Sequence, residues 1–237
     1  MKSEMYSKHA AQYDVAVQDN IYNAHLERPS LQAMLTGVSQ AKVLDLGCGS
    51  GIYAQYLLAQ GASQVTCVDA SPEMIELVKQ KLGNQVQAYV QDLNQGLPQE
   101  ADGQYEVILC PLLIHYIENL NLFFAEVSRV LKSGGYVVFS THHPMLDFEC
   151  TVSGNYFQQE YVEEVWHTIG EPVAVAFYRR SLTDIVSAVT ANGLLVSQLS
   201  EGKVDPKVAR ISPEHYQKLS TQPNFLFMRC HKLTIDS

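Results

Sequence analysis

Hydrophobic residues along this chain fall into short, nearly continuous runs, separated by stretches whose apolar residues recur at helical spacing. The runs predict strands buried on both faces of a parallel sheet, at 43–46, 64–69, 86–90, 105–110 and 136–141. The amphipathic stretches predict helices at 52–60, from residue 72, at 119–131 and at 181–191. Two more strands are predicted at 194–199 and 225–230. Strands that alternate with helices in this way indicate the α/β class.

Three segments interrupt the alternation. Residues 1–40 are polar, aromatic and compatible with helices, and Pro29 is expected to start or break a helix there. Residues 142–180 are rich in aromatic side chains and resemble an insertion. The pattern leaves open whether this insertion lines a ligand pocket or forms a β-hairpin that packs its aromatic residues inward. Residues 201–223 are a polar, proline-punctuated connection.

Composition narrows the class of protein. The chain has 237 residues, of which 46% are hydrophobic and 17% charged, as expected of a globular protein with a sizeable core. We expect one domain over 1–237. The formal net charge of −9 argues against broad electrostatic binding of nucleic acid, which requires a basic face.

The cysteines and the N-terminal residues bear on location. The five cysteines are scattered and form no CxxC pair, so we expect a reducing compartment and no metal site. The N-terminal residues lack the apolar core of a signal peptide, and no apolar run approaches the length of a membrane span. A cytoplasmic location and no membrane partner are therefore predicted.

The stretch 43–51 has the form of a strand, a tight glycine loop and the start of a helix. Its glycines, Gly47, Gly49 and Gly51, have the spacing G-x-G-x-G, whereas a pyrophosphate-binding loop has G-x-G-x-x-G. Asp45 lies two residues before Gly47. A carboxylate there would repel two phosphates but attract a ligand that carries an ammonium and a sulfonium group. S-adenosylmethionine is such a ligand.

Acidic residues also follow the next two predicted strands. Asp69 ends the second strand, where a carboxylate can accept hydrogen bonds from both ribose hydroxyls of a nucleoside, in an NAD enzyme as well. Asp92 follows the third strand, although it could equally be a turn or helix-capping residue. Asp45, Asp69 and Asp92 are 24 and 23 residues apart. The regular spacing indicates one ligand site at the carboxyl ends of three strands.

These features together resemble the class I S-adenosylmethionine-dependent methyltransferases, of the small-molecule type (methyltransferase-11/25-like). Residues 43–51 resemble motif I of that family. Residues 130–140 resemble its Leu-Lys-Pro-Gly-Gly motif, with Ser133 in place of the proline. Ile114-His115 is the counterpart of a Leu-His pair after the fourth strand. The resemblance runs from about residue 41 to 141.

The family resemblance implies an architecture. It is a Rossmann-like, doubly wound, seven-stranded, mostly parallel sheet with an antiparallel C-terminal edge hairpin and helices on both faces. Within the single domain, 1–40 would be a helical lid, 41–141 the cofactor-binding core, 142–180 an insertion over the acceptor pocket, and 181–237 the C-terminal helix and strands.

The family resemblance also implies which residues contact S-adenosylmethionine. They come from the lid, the glycine loop and the ends of the first four strands: Tyr13, Asp45, Gly47, Cys48, Gly49, Gly51, Asp69, Ala70, Met74, Gln91, Asp92, Leu93, Cys110 and His115. Structural roles are alternatives here too, since Tyr13 could simply pack on the sheet, Met74 could face the core instead of the adenine, and Cys110 could be a buried strand-end cysteine.

Methyl transfer from a sulfonium is an in-line displacement for which the protein mainly supplies alignment and a dry pocket. A hydroxyl or protonated amine acceptor requires a base, and His115 or His143 is the candidate, with His142 as a neighbour. A thiolate, a carbanion or a free amine requires none. A structural role is an alternative for each histidine.

We therefore predict an enzyme that methylates a small molecule and releases S-adenosylhomocysteine, as a monomer or homodimer. The alternatives are an RNA or protein methyltransferase, a non-catalytic S-adenosylmethionine-binding protein, and an NAD-dependent oxidoreductase. The loop spacing and Asp45 argue against the last of these.

Overall fold

The computed structural model describes residues 4–233. Its strands in chain order are β1 (Lys42–Leu46), β2 (Gln64–Asp69), β3 (Gln87–Val90), β4 (Tyr105–Cys110), β5 (Leu131–His142), β6 (Glu160–Trp166), β7 (Val173–Arg179), β8 (Leu194–Ser200) and β9 (Phe225–Lys232). Seven of them form one sheet in the order β3-β2-β1-β4-β5-β9-β8. Strands β1 to β5 are parallel, and β9 lies antiparallel to both β5 and β8. The predicted mostly parallel sheet with an antiparallel edge hairpin is confirmed.

The helices of the described residues are α1 (Ala10–Ala16), a π-helical turn (Asn23–Glu27), α2 (Arg28–Gln32), α3 (Ile52–Ala59), α4 (Pro72–Leu82), α5 (Leu120–Val130), α6 (Pro144–Asp147), α7 (Leu182–Ala191), α8 (Val208–Ile211) and α9 (Pro213–Thr221). Short 3₁₀ turns occupy Glu4–Tyr6, Leu93–Gln95 and Ile114–Tyr116. None of these helices is long and apolar enough to cross a membrane.

The helices cover both faces of the sheet. On β1, Leu44 belongs to a core that also contains Phe124 of α5, while the neighbouring Val43 belongs to a second core with Leu57 of α3. Successive residues of a strand point to opposite faces, so both sides of β1 are buried. This explains why the central strands read as continuous apolar runs instead of alternating ones.

Side-chain caps define the starts of α4 and α7. The Ser71 hydroxyl accepts a hydrogen bond from the Met74 N–H at the start of α4, and Pro72 is the first helical residue. Ser181 and Asp184 form a reciprocal capping box at the start of α7. These local bonds begin each helix directly after the loop that leaves the sheet.

Pro29 lies in the first turn of α2 and so starts that helix, which is one of the two roles expected from the sequence. The turn before it is π-helical, and the chain passes straight into α2. A proline removes the N–H that would bond to the carbonyl four residues earlier, here that of His25. The Asp205 N–H donates to this carbonyl instead, at 2.8 Å. A distant loop therefore satisfies the group that the proline leaves free.

Two further regions differ from the sequence prediction. Strand β5 begins at Leu131 and not at 136, because Leu131 pairs with Tyr105 before a bulge at 132–135 and Tyr136 then pairs with Val107. The connection 201–223 contains the short helices α8 and α9, which were not predicted. The insertion is a two-stranded hairpin of β6 and β7, as one of its two interpretations expected.

Candidate functional site

The loops that follow β1, β2, β3 and β4 converge on a cavity of about 460 Å³. It lies where the chain leaves β1 in one direction and β4 in the other, the position at which open α/β sheets bind ligands. The N-terminal segment, the loop after β4 and the β6–β7 hairpin complete its wall. Seven of the residues predicted to contact a cofactor line it: Tyr13, Gly47, Gly49, Asp69, Ala70, Asp92 and Leu93.

The glycine loop needs its glycines for two different reasons. All three have left-handed backbone conformations, with φ of 68° at Gly47, 54° at Gly49 and 87° at Gly51. A Cβ at Gly47 would lie 2.9 Å from Leu113 Cδ1, so the Leu113 side chain would have to move. A Cβ at Gly49 would meet no protein atom within 4 Å. Gly49 thus presents bare backbone to the cavity, whereas Gly51 begins α3 outside it.

Asp69 is held against the glycine loop by backbone donors. The Gly49 N–H donates to its Oδ2 at 2.9 Å, and the Ser71 N–H donates to its Oδ1 at 2.8 Å. Asp69 therefore has a fixed orientation at the wall of the cavity.

Asp92 has the turn-capping role considered for it, and it also lies at the cavity where its predicted ligand contact would be made. Its side chain caps the 3₁₀ turn by accepting from the Asn94 N–H at 3.0 Å, and the residue also lines the cavity together with Leu93. Gln91 points elsewhere, since its amide donates to the Asp92 carbonyl and it does not line the cavity.

Asp45, just before the glycine loop, does not line the cavity, and its surroundings are unusual. Its side chain is completely buried, and neither carboxylate oxygen has a hydrogen-bond partner within the described part of the protein. Burial, together with the nearby Asp69 and Glu27, raises the pKa of Asp45 to about 8. An orphaned buried carboxylate is costly, so it points to a role other than stability.

Glu27 is a third acid of this region that the sequence analysis missed. It is buried, and it accepts hydrogen bonds from Tyr53 at 2.9 Å and from Ser140 at 2.6 Å. Burial raises the pKa of Glu27 to about 7. A lone glutamate in a predicted polar helix carries no local signal that distinguishes it from a solvated one. Only the docking of the π-helical turn on the sheet buries it.

The N-terminal segment is fastened over the cavity. Tyr13 packs edge-on against Tyr6 with ring centroids 5.0 Å apart, and the Tyr6 hydroxyl bonds to that of Tyr116 at 2.7 Å. Asp14 accepts a hydrogen bond from Ser50 of the glycine loop and pairs with Lys81 of α4. Tyr6 and Tyr116 line the cavity and were not predicted.

Several predicted contact residues do not reach the cavity. Cys48, Met74 and Cys110 are buried and are absent from its wall, and burial raises the pKa of both cysteines. For Met74 this corresponds to the packing alternative. Cys110 is a strand-end residue inside the core around α5.

The histidines lie behind the cavity instead of inside it. His115 is buried, its ring stacks on His142 with centroids 3.9 Å apart, and its Nδ1 is 3.2 Å from Thr141 Oγ1. Burial holds the pKa of His115 well below its usual range, and the neighbouring His142 and Arg180 act in the same direction. His115 and His142 line a separate space of only about 10 Å³.

His143 has a structural role at the start of α6. Its Nδ1 accepts from the Met145 N–H at 3.2 Å, and its Nε2 lies 3.2 Å from Glu201. It lines neither cavity. The geometry therefore does not bring His115 and His143 together with the loop residues. Among the described residues no cluster of His, Cys, Asp or Glu could hold a metal ion.

Known proteins share these features. Residues 44–139 match the family described as "Methyltransferase domain". Human thiol S-methyltransferase TMT1A is 28% identical over 144 residues, which are 59% of this chain and 57% of the relative. The ubiquinone biosynthesis O-methyltransferase of Nitrosomonas europaea is 33% identical over 114 residues, 47% of this chain and 48% of the relative. The chain thus spans about half the length of the curated relatives it matches.

The similarity to solved structures extends further along the chain. A candidate S-adenosylmethionine-dependent methyltransferase from Listeria monocytogenes is 27% identical, with a TM-score of 0.73, over 85% of this chain and 94% of that one. This relative has the same fold as the one that, in the present chain, positions the glycine loop and the acidic residues at the strand ends. The sheet order, the glycine loop and these similarities identify residues 44–139 as a methyltransferase domain of the class I S-adenosylmethionine-dependent type.

Proposed function

We propose that this chain binds S-adenosylmethionine and transfers its methyl group to a small-molecule acceptor, releasing S-adenosylhomocysteine. The observation that carries the proposal is Asp45, a buried carboxylate without a protein partner directly before a loop of three left-handed glycines. A cation against that loop would favour the ionised form of Asp45, which burial and the nearby Asp69 and Glu27 disfavour, and in a low-dielectric site this interaction is strong.

The residues present fit this cofactor. Gly47 and Gly49 would leave room for its methionine part against the backbone. Asp69, oriented by Gly49 and Ser71, would accept from the ribose hydroxyls, and Asp92, with Ala70 and Leu93, would border the adenine. Tyr13 would close the methionine end. Gly51, Cys48, Met74, Gln91, Cys110 and His115 would then support the loops without direct contact.

The other parts of the chain would enclose the reaction. Residues 1–40 would be the lid, since Tyr6 and Tyr13 line the cavity and Asp14 bonds to Ser50. Residues 142–180 would cover the acceptor, since Tyr161 and Tyr178 of the hairpin line the same cavity. The core 41–141 and the segment 181–237 would complete a single domain.

The bound cofactor supplies an electrophilic methyl group on a cationic sulfur. What this chain contributes is alignment and exclusion of water: Tyr6, Tyr13 and Tyr116 pack over the cavity, and their edge-on contacts fix its shape. His115 and His143 remain candidates for a base, although both lie outside the cavity wall, and an acceptor with a free lone pair needs neither.

Calorimetric titration with S-adenosylhomocysteine and with NADH tests the cofactor. We expect S-adenosylhomocysteine to bind and NADH not to bind. Binding of NADH alone would contradict the proposal and favour an oxidoreductase. Binding of S-adenosylhomocysteine without transfer to any acceptor would favour a non-catalytic binding protein, and transfer to RNA or protein would favour the macromolecular alternative. A cytoplasmic location and a monomer or homodimer remain predictions.

A further inference from the structure

The end of the cavity formed by the hairpin and the loop after β4 has a distinct chemistry. Tyr161 and Tyr178 face each other across the hairpin, with ring centroids 4.8 Å apart, and both line the cavity. Glu118 lies at the same end, and its charge helps to raise the pKa of Tyr178. Two tyrosine side chains and a carboxylate therefore line this end of the cavity.

Tyrosine rings attract cations through their negative faces, and Tyr178 already does so within the protein. The Arg180 guanidinium carbon lies 5.0 Å from the centroid of its ring. Arg180 itself is buried and donates to the backbone carbonyls of Ile117 and Glu118. Its charge holds the loop after β4 and lies outside the cavity wall.

The charged side chains that line the cavity are all acidic. Within residues 4–233, no lysine, arginine or histidine lines the cavity, whereas four carboxylates do, those of Asp69, Glu73, Asp92 and Glu118. The proposed cofactor has two cationic groups and one carboxylate, a single net positive charge. An acceptor that carries a carboxylate or phosphate would find no cationic side chain and would be repelled by Glu118 and Asp92.

We propose that the acceptor group is an amine, recognised as a cation by Tyr161, Tyr178 and Glu118. This inference rests on the proposed function, because it names the acceptor class of the same site. It differs from a carboxylate, phosphate or thiolate acceptor, each of which brings negative charge to this wall.

An amine can be methylated without a catalytic base in the cavity, because its proton can leave to solvent before the transfer. The amine loses its proton to solvent before transfer, and its lone pair forms the new N–C bond while the S–C bond breaks and its electron pair stays on sulfur. The positive charge moves from sulfur to nitrogen. The product is a methylammonium ion, so the acidic, tyrosine-lined end faces a cation before and after the step.

Three probes of nearly equal shape and different charge test this inference. They are choline, which is cationic, 3,3-dimethylbutan-1-ol, which is neutral, and 3,3-dimethylbutanoate, which is anionic. Each is titrated by calorimetry into the full chain saturated with S-adenosylhomocysteine. We expect choline to bind about 5- to 30-fold more tightly than the alcohol, and the anion to bind most weakly.

Matched variants assign that preference to the named residues. Tyr161→Leu removes one aromatic face at a partly exposed position, and Tyr161→Phe keeps the face without the hydroxyl. The preference of choline over the alcohol is expected to fall severalfold in Tyr161→Leu and to persist in Tyr161→Phe. Glu118→Gln is expected to weaken the binding of choline and to strengthen the binding of the anion.

The outcomes separate the two proposals. Failure of S-adenosylhomocysteine to bind contradicts the proposed function itself. If it binds, equal affinity for choline and the alcohol, tighter binding of the anion, or no binding of choline overturns the amine inference and leaves the cofactor assignment standing. A choline preference that survives Tyr161→Leu and Glu118→Gln overturns the assignment to this end of the cavity.

Discussion

The Gly49 N–H donates to Asp69 Oδ2 at 2.9 Å, and this bond joins the glycine loop after β1 to the carboxyl end of β2. Two positions that are 20 residues apart thereby form one surface. The same carboxylate orients the loop and is expected to bind a ribose. Its removal should therefore weaken ligand binding both directly and through the loop.

Asp69→Ala should weaken binding of S-adenosylhomocysteine by about 1.5–3 kcal/mol, because hydrogen bonds to a charged acceptor are lost. Asp69→Asn keeps the shape of the side chain and one acceptor oxygen, so it should lose less binding free energy than Asp69→Ala. Calorimetric titration of the two variants and the wild type measures the difference. Wild-type affinity in Asp69→Ala would remove this residue from the site.

Asp45→Asn should make the ligand-free protein more stable at pH 7, by about 1 kcal/mol or more, while weakening S-adenosylmethionine binding. The pKa of Asp45 is raised to about 8, so its folded form holds a proton that the unfolded chain releases near pH 4. Its contribution to stability is therefore lost as the pH rises from about 4 to about 8. Urea unfolding of both proteins at pH 7 checks the sign.

The raised pKa of Asp45 also predicts that a proton is released when a cationic ligand binds. At pH 7 most of Asp45 is protonated in the free protein, and a cationic ligand should lower its pKa and release the proton. Titration with S-adenosylmethionine in two buffers of different ionisation enthalpy measures this release. It should be smaller in Asp45→Asn, and an unchanged value would show that Asp45 does not sense the ligand.

Glu27→Gln should flatten the decline of stability between about pH 4.5 and pH 7. Burial raises the pKa of Glu27 from 4.5 to about 7, so the unfolded chain ionises first and stability falls as the pH rises through this window. The expected difference is about 1–3 kcal/mol between pH 5 and pH 8. Unfolding midpoints at both pH values measure it, and parallel pH profiles for the two proteins would contradict this account of Glu27.

Tyr6→Phe should weaken the closure of the N-terminal segment, because the 2.7 Å bond from its hydroxyl to Tyr116 is lost. We expect a loss of about 0.5–1.5 kcal/mol in cofactor affinity. Tyr22→Phe, at a tyrosine outside the cavity wall, is the matched control. An equal effect of both changes would indicate a general loss of stability and not a lid.

The alternation of apolar runs and helical stretches was enough to predict the strands and helices of the sheet. A buried strand, a glycine loop and a capped helix each leave a local signature, as at 43–51 and at Ser71. The acids at the strand ends were identified for the same reason, since parallel strands bring their carboxyl ends to one edge.

The remaining features depend on contacts between distant residues. Tyr6 and Tyr116 are 110 positions apart, and no local pattern connects them. Pro29 has no N–H to donate to the carbonyl of His25, and the N–H of Asp205, far along the chain, donates to it instead. His115 follows a motif that resembles the family's, yet packing against His142 and Thr141 places it behind the cavity. Spacing along a sequence cannot reveal which side of a loop a side chain occupies.

Transfer of a radiolabelled methyl group from S-adenosylmethionine into an extract of the source cells, fractionated by size, tests the central claim most directly. We expect label in the low-mass fraction with the wild type and a strong reduction with Asp69→Ala. Label that precipitates with RNA or protein, or no label from a protein proven to bind S-adenosylhomocysteine, would contradict small-molecule methyl transfer.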